Sequence, residues 1–190
     1  MYSTRIAQLI VITILSTPMA GAAASPATEP VSGVWQRHDY RFAYQGVTSR
    51  YSCDGLEEKL ALLLKAAGAR PDIKVHGTCS SASGGPSLNS EAMLTFYTLA
   101  PTVAPGSVGA EPGLGAWQPV EFAAGRPSYV LGGDCELVEQ FDRQLLPFFT
   151  IRNRSSHFNC EPHEFALGSI ELRFETLAPL PKVPLARAAQ

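Results

Sequence analysis

Apolar residues recur along this chain with two periods, and the same succession of periods occurs twice. Tyr40, Phe42 and Tyr44 alternate with polar residues, which predicts a half-buried strand. Leu56, Leu60, Leu63 and Leu64 then fall at i, i+4, i+7 and i+8, one face of a helix. Asp54-Gly-Leu-Glu57 fits a capping box at its start, the Asp54 carboxylate accepting from the Glu57 amide, and Gly68 is placed to end it. "DIKVHGTC" reads as a second strand. "AMLTFYTL" reads as a third, with Leu94, Phe96 and Thr98 on one face. The second half predicts a helix from Glu136 to about Leu146, stopped by Pro147. "FFTIRNRSSHFNC" supplies strand material, and Ile170, Leu172 and Phe174 alternate in the last strand.

Each half thus reads β-α-β-β. A helix with a leucine stripe must lay that stripe on a sheet. The expected fold class is α+β: two tandem β-α-β-β repeats forming one two-layer sheet-plus-helices domain with pseudo-twofold symmetry.

Landmarks support the repeat. The only tryptophans are Trp35-Gln36 and Trp117-Gln118, each eighteen residues before a cysteine, Cys53 or Cys135. An acid follows each cysteine (Asp54, Glu136), and a glutamate comes three residues later (Glu57, Glu139). Leucine pairs (Leu63-Leu64, Leu145-Leu146), then "HGTC" and "HFNC", then "FYTLAP" and "FETLAP" complete the series. Six landmarks in one order predict a duplication, with units at 35–101 and 117–179. Residues 25–34 read as an N-terminal extension, the Gly/Pro-rich 102–116 as a linker, and 180–190 as a disordered tail.

Residues 1–24 predict a cleavable export signal. Arg5 precedes an apolar run from Ile6 to Leu15, too short to span a bilayer, and Ala22-x-Ala24 suits signal peptidase. The mature chain would begin near Ser25, in the periplasm or secreted, with no transmembrane segment. Without Arg5, its 14 basic and 17 acidic residues leave a net charge near −3. That balance argues against a nucleic-acid partner.

An even number of cysteines in an exported chain predicts two disulfides. Cys53–Cys79 and Cys135–Cys160 respect the repeat, with separations of 26 and 25 residues. Closing each loop is worth roughly 3 kcal/mol on the chain-entropy model.

The pairing bears on "HFNCEPHE", His157 to Glu164, which resembles a metal site. A bonded cysteine offers no thiolate, and three residues along a strand put His76 or His157 on the face opposite its cysteine. The expectation is half-buried, hydrogen-bonding histidines and no cofactor. With reduced cysteines, His76, His157 and His163 could join thiolates around Cu(I) or Zn(II). Glu57-Glu58 and Glu136/Glu139, at helix starts, read as surface charges favoured by the dipole. Trp35 and Trp117 either cover the open ends of their sheets or form a ligand platform. No Gly-x-Ser-x-Gly or His-Glu-x-x-His occurs, and "SGGPS" lacks the Lys-Ser/Thr of a phosphate loop.

At "YSCDGLEEKLALLLKAAGARPDIKV", Tyr51 to Val75, the chain resembles uncharacterised exported proteins of Gram-negative bacteria. The resemblance implies a periplasmic or secreted location and assigns no functional residue. The function expected is a non-enzymatic exported module that binds a protein, an envelope component or a small ligand. The alternative is a periplasmic metal-binding or metal-trafficking protein using the His-x-x-Cys ends. A third reading is an enzyme whose site forms no local motif.

Overall fold

The computed structural model describes residues 29–79, 85–101, 111–160 and 169–180. The export signal, His163 and most of the linker and tail lie outside them. The elements are β1 (Val31–Gln45), α1 (Cys53–Ala66), β2 (Lys74–Cys79), β3 (Asn89–Pro101), β4 (Pro112–Ala123), α2 (Cys135–Gln144), β5 (Ile151–Asn159) and β6 (Ser169–Pro179). Short 3₁₀ turns flank α2 at Gly132–Asp134 and Leu146–Phe148. The six strands form one antiparallel sheet in the order β2-β3-β1-β4-β6-β5. The protein is α+β, as the two periods predict.

One sheet face carries the core. Phe42 and Tyr44 of β1, Leu94 and Phe96 of β3, Phe122 of β4, and Leu172 and Phe174 of β6 join one buried cluster with both helices. Leu56, Leu60, Leu63 and Leu64 are the buried stripe of α1. The other face is solvated by charged pairs between neighbouring strands. Arg41 Nε donates to Glu91 (2.9 Å), Arg173 Nε to Glu121 (3.1 Å) and Arg152 Nε to Glu175 (2.7 Å). Exposed pairs of this kind contribute little stability; they let an antiparallel sheet leave one face wet.

Local structure differs from the sequence reading at two places in α1 and agrees at a third. The N-cap of α1 is Ser52, whose Oγ accepts from Gly55 N–H (3.2 Å), so Asp54 lies inside the first turn. The carboxylate of Glu57 does not close a capping box; its Oε1 accepts from Gly77 N–H of β2 (2.6 Å). Gly68 ends α1 as expected, at φ 97°, and a Cβ there would also lie 2.9 Å from the Ala178 side chain.

The strands also extend further than side-chain alternation shows. β1 starts at Val31 and β4 at Pro112, inside the spans read as extension and linker. These ends pair with each other, Val31 opposite Gly115 and Gly33 opposite Gly113, to join the two halves of the sheet. Glycine is needed there because a Cβ on Gly113 would lie 2.7 Å from Trp35 Nε1 and 2.8 Å from Leu99 Cδ1.

Cys135 is bonded to Cys160, tying the start of α2 to the end of β5. Cys53 is also disulfide-bonded, while the side chain of Cys79, its expected partner, falls outside those described. Among the described residues no helix is long and apolar enough to cross a membrane.

Candidate functional site

The β1–β4 pairing stops at Val34 and Pro112, and a groove of about 750 Å³ opens beside that end of the sheet. Trp35, Pro71, Pro179 and Leu180 form its apolar walls, and Arg70, Asp72 and Glu111 its polar rim. Backbone bonds set the arrangement: Trp35 N–H donates to Glu111 O (2.9 Å), Arg70 N–H to Tyr97 O (3.0 Å) and Leu180 N–H to Leu114 O (3.3 Å). Arg70 thereby lies over the Tyr97 ring, with Cζ 3.8 Å from its centroid and 5.5 Å from that of Trp35.

Two carboxylates consume the Arg70 guanidinium. Nε and Nη2 each donate to Asp72 at 2.8 Å, a fork-on-fork geometry, and Nη1 donates to Glu111 Oε2 at 2.5 Å. These bonds, Asp72 foremost, raise the Arg70 pKa above its ordinary value, and the same bonds hold the Asp72 carboxyl below its own. Arg70, Asp72 and Glu111 together carry −1, and Lys74 also acts on Asp72, so the uncompensated charge rests on Glu111. Glu111 is 65% and Asp72 50% exposed, so this charge faces the solvent. The site is thus a rigid indole and two proline rings beside an acidic rim.

Trp117 occupies the equivalent position on β4, on the same sheet face as Trp35. It sits opposite Leu177 on the solvated face, with Arg152 Cζ 4.3 Å from its ring centroid. Six residues of β4 separate it from Glu111, where Trp35 is bonded, or about 20 Å along the strand. That figure separates the backbones; the Trp35 indole reaches back along β4, its Nε1 2.7 Å from where a Cβ on Gly113 would sit.

His76 and His157 are not the half-buried residues expected. His76 is 84% exposed on β2, with Nδ1 3.9 Å from Glu57 Oε1, and His157 is exposed on β5 opposite Glu171. The alternation that separates each histidine from the cysteine three residues on also delivers it to the solvated face. They lie on opposite edges of the sheet, and among the described residues no cluster of three His, Cys, Asp or Glu side chains is placed to hold a metal.

A histidine that does fit the half-buried description is His38, which continues the inward alternation of Tyr40, Phe42 and Tyr44. Its ring packs 5.1 Å from Phe96 and 5.0 Å from Phe148. Thr98 Oγ1 donates to Phe148 O (2.9 Å), so the 2.8 Å contact with His38 Nε2 assigns the imidazole proton to Nε2. Burial lowers the His38 pKa, against a smaller opposing effect of Asp39.

Glu136 corrects the surface-charge reading most sharply. It is 6% exposed, and its carboxylate accepts from Val47 N–H (3.0 Å), Thr48 N–H and Oγ1–H (3.1 Å each), Ser49 N–H (3.3 Å) and Tyr44 O–H (3.2 Å). Burial pushes its pKa up, but the hydrogen bonds from Val47, Ser49 and Thr48 outweigh that and hold it below the ordinary value. Burial and this neighbouring carboxylate push the Tyr44 phenol well up.

Gln140 and Gln144 continue the grip. Gln140 exchanges two bonds with the Gln45 backbone (2.9 and 2.8 Å), and Gln144 two with Ala43 (3.2 and 2.9 Å). Among the described residues β1 has no strand partner on its β4 side beyond Val34, and at Ala43 and Gln45 these side-chain amides substitute for one. Asp134 adds bonds from Tyr51 O–H (2.5 Å), Lys59 Nζ (2.6 Å) and Leu131 N–H (2.7 Å). The signal for this clasp was present: Glu136, Gln140 and Gln144 are polar at i, i+4 and i+8.

A comparison with protein-family models, curated proteins and solved structures finds no match for this chain.

Proposed function

We propose that this chain is an exported, non-enzymatic binding module, built by duplication of a β-α-β-β unit, whose ligand occupies the groove beside Trp35. The observation that carries the reading is the groove itself. Its volume lies in the usual range for ligand sites, its aromatic and proline walls are rigid, and backbone hydrogen bonds hold its rim. The buried carboxylates that could pass for catalytic acids, Glu136 and Asp134, are engaged in holding loops together.

Duplication is supported by the strand orders β2-β3-β1 and β4-β6-β5, which mirror each other about the β1–β4 junction. Register supports it too: Trp35 faces Leu99 and Gln36 faces Thr98, as Trp117 faces Leu177 and Gln118 faces Thr176. Export is supported by the leader sequence and by the Cys135–Cys160 disulfide.

A photo-crosslinking amino acid at Pro71 or Leu180, in a Gram-negative periplasm, tests the reading. Adducts at these positions, and not at exposed Met93 on the solvated face or Leu131 near α2, are expected. Adducts confined to Met93 or Leu131, or none anywhere, would overturn it.

A further inference from the structure

We infer that the groove beside Trp35 takes a basic, apolar stretch of extended polypeptide, a lysine or arginine flanked by proline or aliphatic residues; this rests on the groove being the binding site. The charge of the rim selects the sign. Arg70 directs Nε and Nη2 at Asp72 and Nη1 at Glu111, so its guanidinium is already committed and an anionic ligand would have to displace a carboxylate. The surplus negative charge sits on Glu111, which is the more exposed carboxylate and meets Arg70 through Oε2, whereas Asp72 is held at both oxygens by Arg70 and attracted by Lys74. A guanidinium or ammonium entering the groove finds this rim beside the Trp35 indole, the arrangement that favours a cation on an apolar stem.

The walls select the form of the partner. Trp35, Pro71 and Pro179 present stiff, flat surfaces that lose little rotamer freedom, the kind on which extended proline-containing segments dock. Peptide capture by strand addition is obstructed at the two outer edges, β2 and β5. On β2 the Gly77 N–H is already taken by Glu57, and β5 is broken by a bulge between Arg152 and Ser155, with Asn153 at φ 54°.

The probe is an acetylated, amidated hexapeptide, Pro-Leu-Arg-Pro-Leu-Arg, with versions carrying Gln or Glu for Arg. Two-dimensional NMR of the wild-type protein follows both indole N–H resonances, assigned with Trp35→Phe. The basic peptide is expected to shift the Trp35 signal saturably and leave that of Trp117 in place, while the acidic peptide shifts neither. Added salt weakens the interaction. Glu111→Gln weakens it about fivefold, the upper end for an exposed charge.

Equal responses to all three peptides would overturn the cationic assignment and leave the groove as the binding site. No response at up to about 5 mM, a concentration that detects even the weakest specific contacts, would overturn the inference. The function proposed above then stands or falls separately, on crosslinking at Pro71 and Leu180.

Discussion

Replacing Glu136 by alanine distinguishes a clasp from a surface charge. The substitution removes the acceptor for three consecutive backbone N–H groups, Val47 to Ser49, and for the hydroxyls of Thr48 and Tyr44. Hydrogen bonds to a charged group contribute about 1.5–3 kcal/mol each. Not all of that is lost, because the Val47–Ser49 loop is partly exposed and rebinds water, and the single Tyr44 hydroxyl proton, which also faces Ser49 O at 2.9 Å, donates there instead. About two bonds' worth remains, a destabilisation of about 3–6 kcal/mol. Glu136→Gln keeps one acceptor oxygen but turns an NH₂ toward donors, so about 2 kcal/mol is expected.

The control is Glu139→Ala, whose carboxylate makes a 3.4 Å pair with Arg143 at i,i+4 and is worth about 0.5 kcal/mol or less. Urea unfolding at pH 7 gives the three values. Because the folded-state pKa of Glu136 is depressed, its contribution is full above its unfolded pKa and is lost as pH falls through the folded value. The gap between wild type and Glu136→Ala should therefore narrow as pH drops below about 4.5, the ordinary glutamate value. A loss at pH 7 no larger than that of Glu139→Ala, or a gap that widens in acid, would refute the clasp.

Cys160→Ser should free Cys135 to alkylation without reductant and destabilise the fold by about 2–5 kcal/mol; an unchanged urea midpoint would contradict this. The His38 imidazole should titrate below its ordinary 6.5 by NMR, and because burial favours its neutral form, the stability it contributes should fall as pH drops below 6.5. A His38 midpoint at or above 6.5 would mean the ring is not sealed by Phe96 and Phe148. Intact mass from a periplasmic extract should correspond to a chain starting near Ser25, and a membrane-retained species beginning at Met1 would rule out cleavage.

Elements that bury their own side chains were legible in the sequence. The leucine stripe of α1 and the alternation in β6 reflect a boundary between water and core, which the residue types record directly. Pro112 to Gly115 left no such record. That segment pairs through its backbone and is defined by side chains it lacks, so composition alone reads as a linker. Glu136, Gln140 and Gln144 failed for a related reason. A polar residue on a helix reads as solvated, and what replaces water here is the unpaired edge of β1, about a hundred residues earlier. In the groove Trp35 stood out as one of two tryptophans, whereas Arg70, Asp72 and Glu111 are ordinary charges until β3 and β4 bring them around one indole.

The clasp on β1 is one-directional. Counted from the cysteine that opens each helix, the α1 residues matching Glu136, Gln140 and Gln144 are Asp54, Glu58 and Leu62, and no pair of amides stands among them. The first half leaves the ribosome first, yet it cannot complete the bonding of Ala43, Gln45 and Val47–Ser49 until residues 136–144 arrive. Contacts that span this much chain close late and slowly. A truncation ending at Pro101 should thus present an open strand edge and a loop of unmatched N–H groups, a template for association with other chains. The second half, released from the first, returns Gln140 and Gln144 to water but also loses Tyr51 and Lys59 from Asp134 and Thr98 from Phe148 O. Secretion in an unfolded form, with folding deferred until both halves have crossed, would keep that edge from ever standing alone.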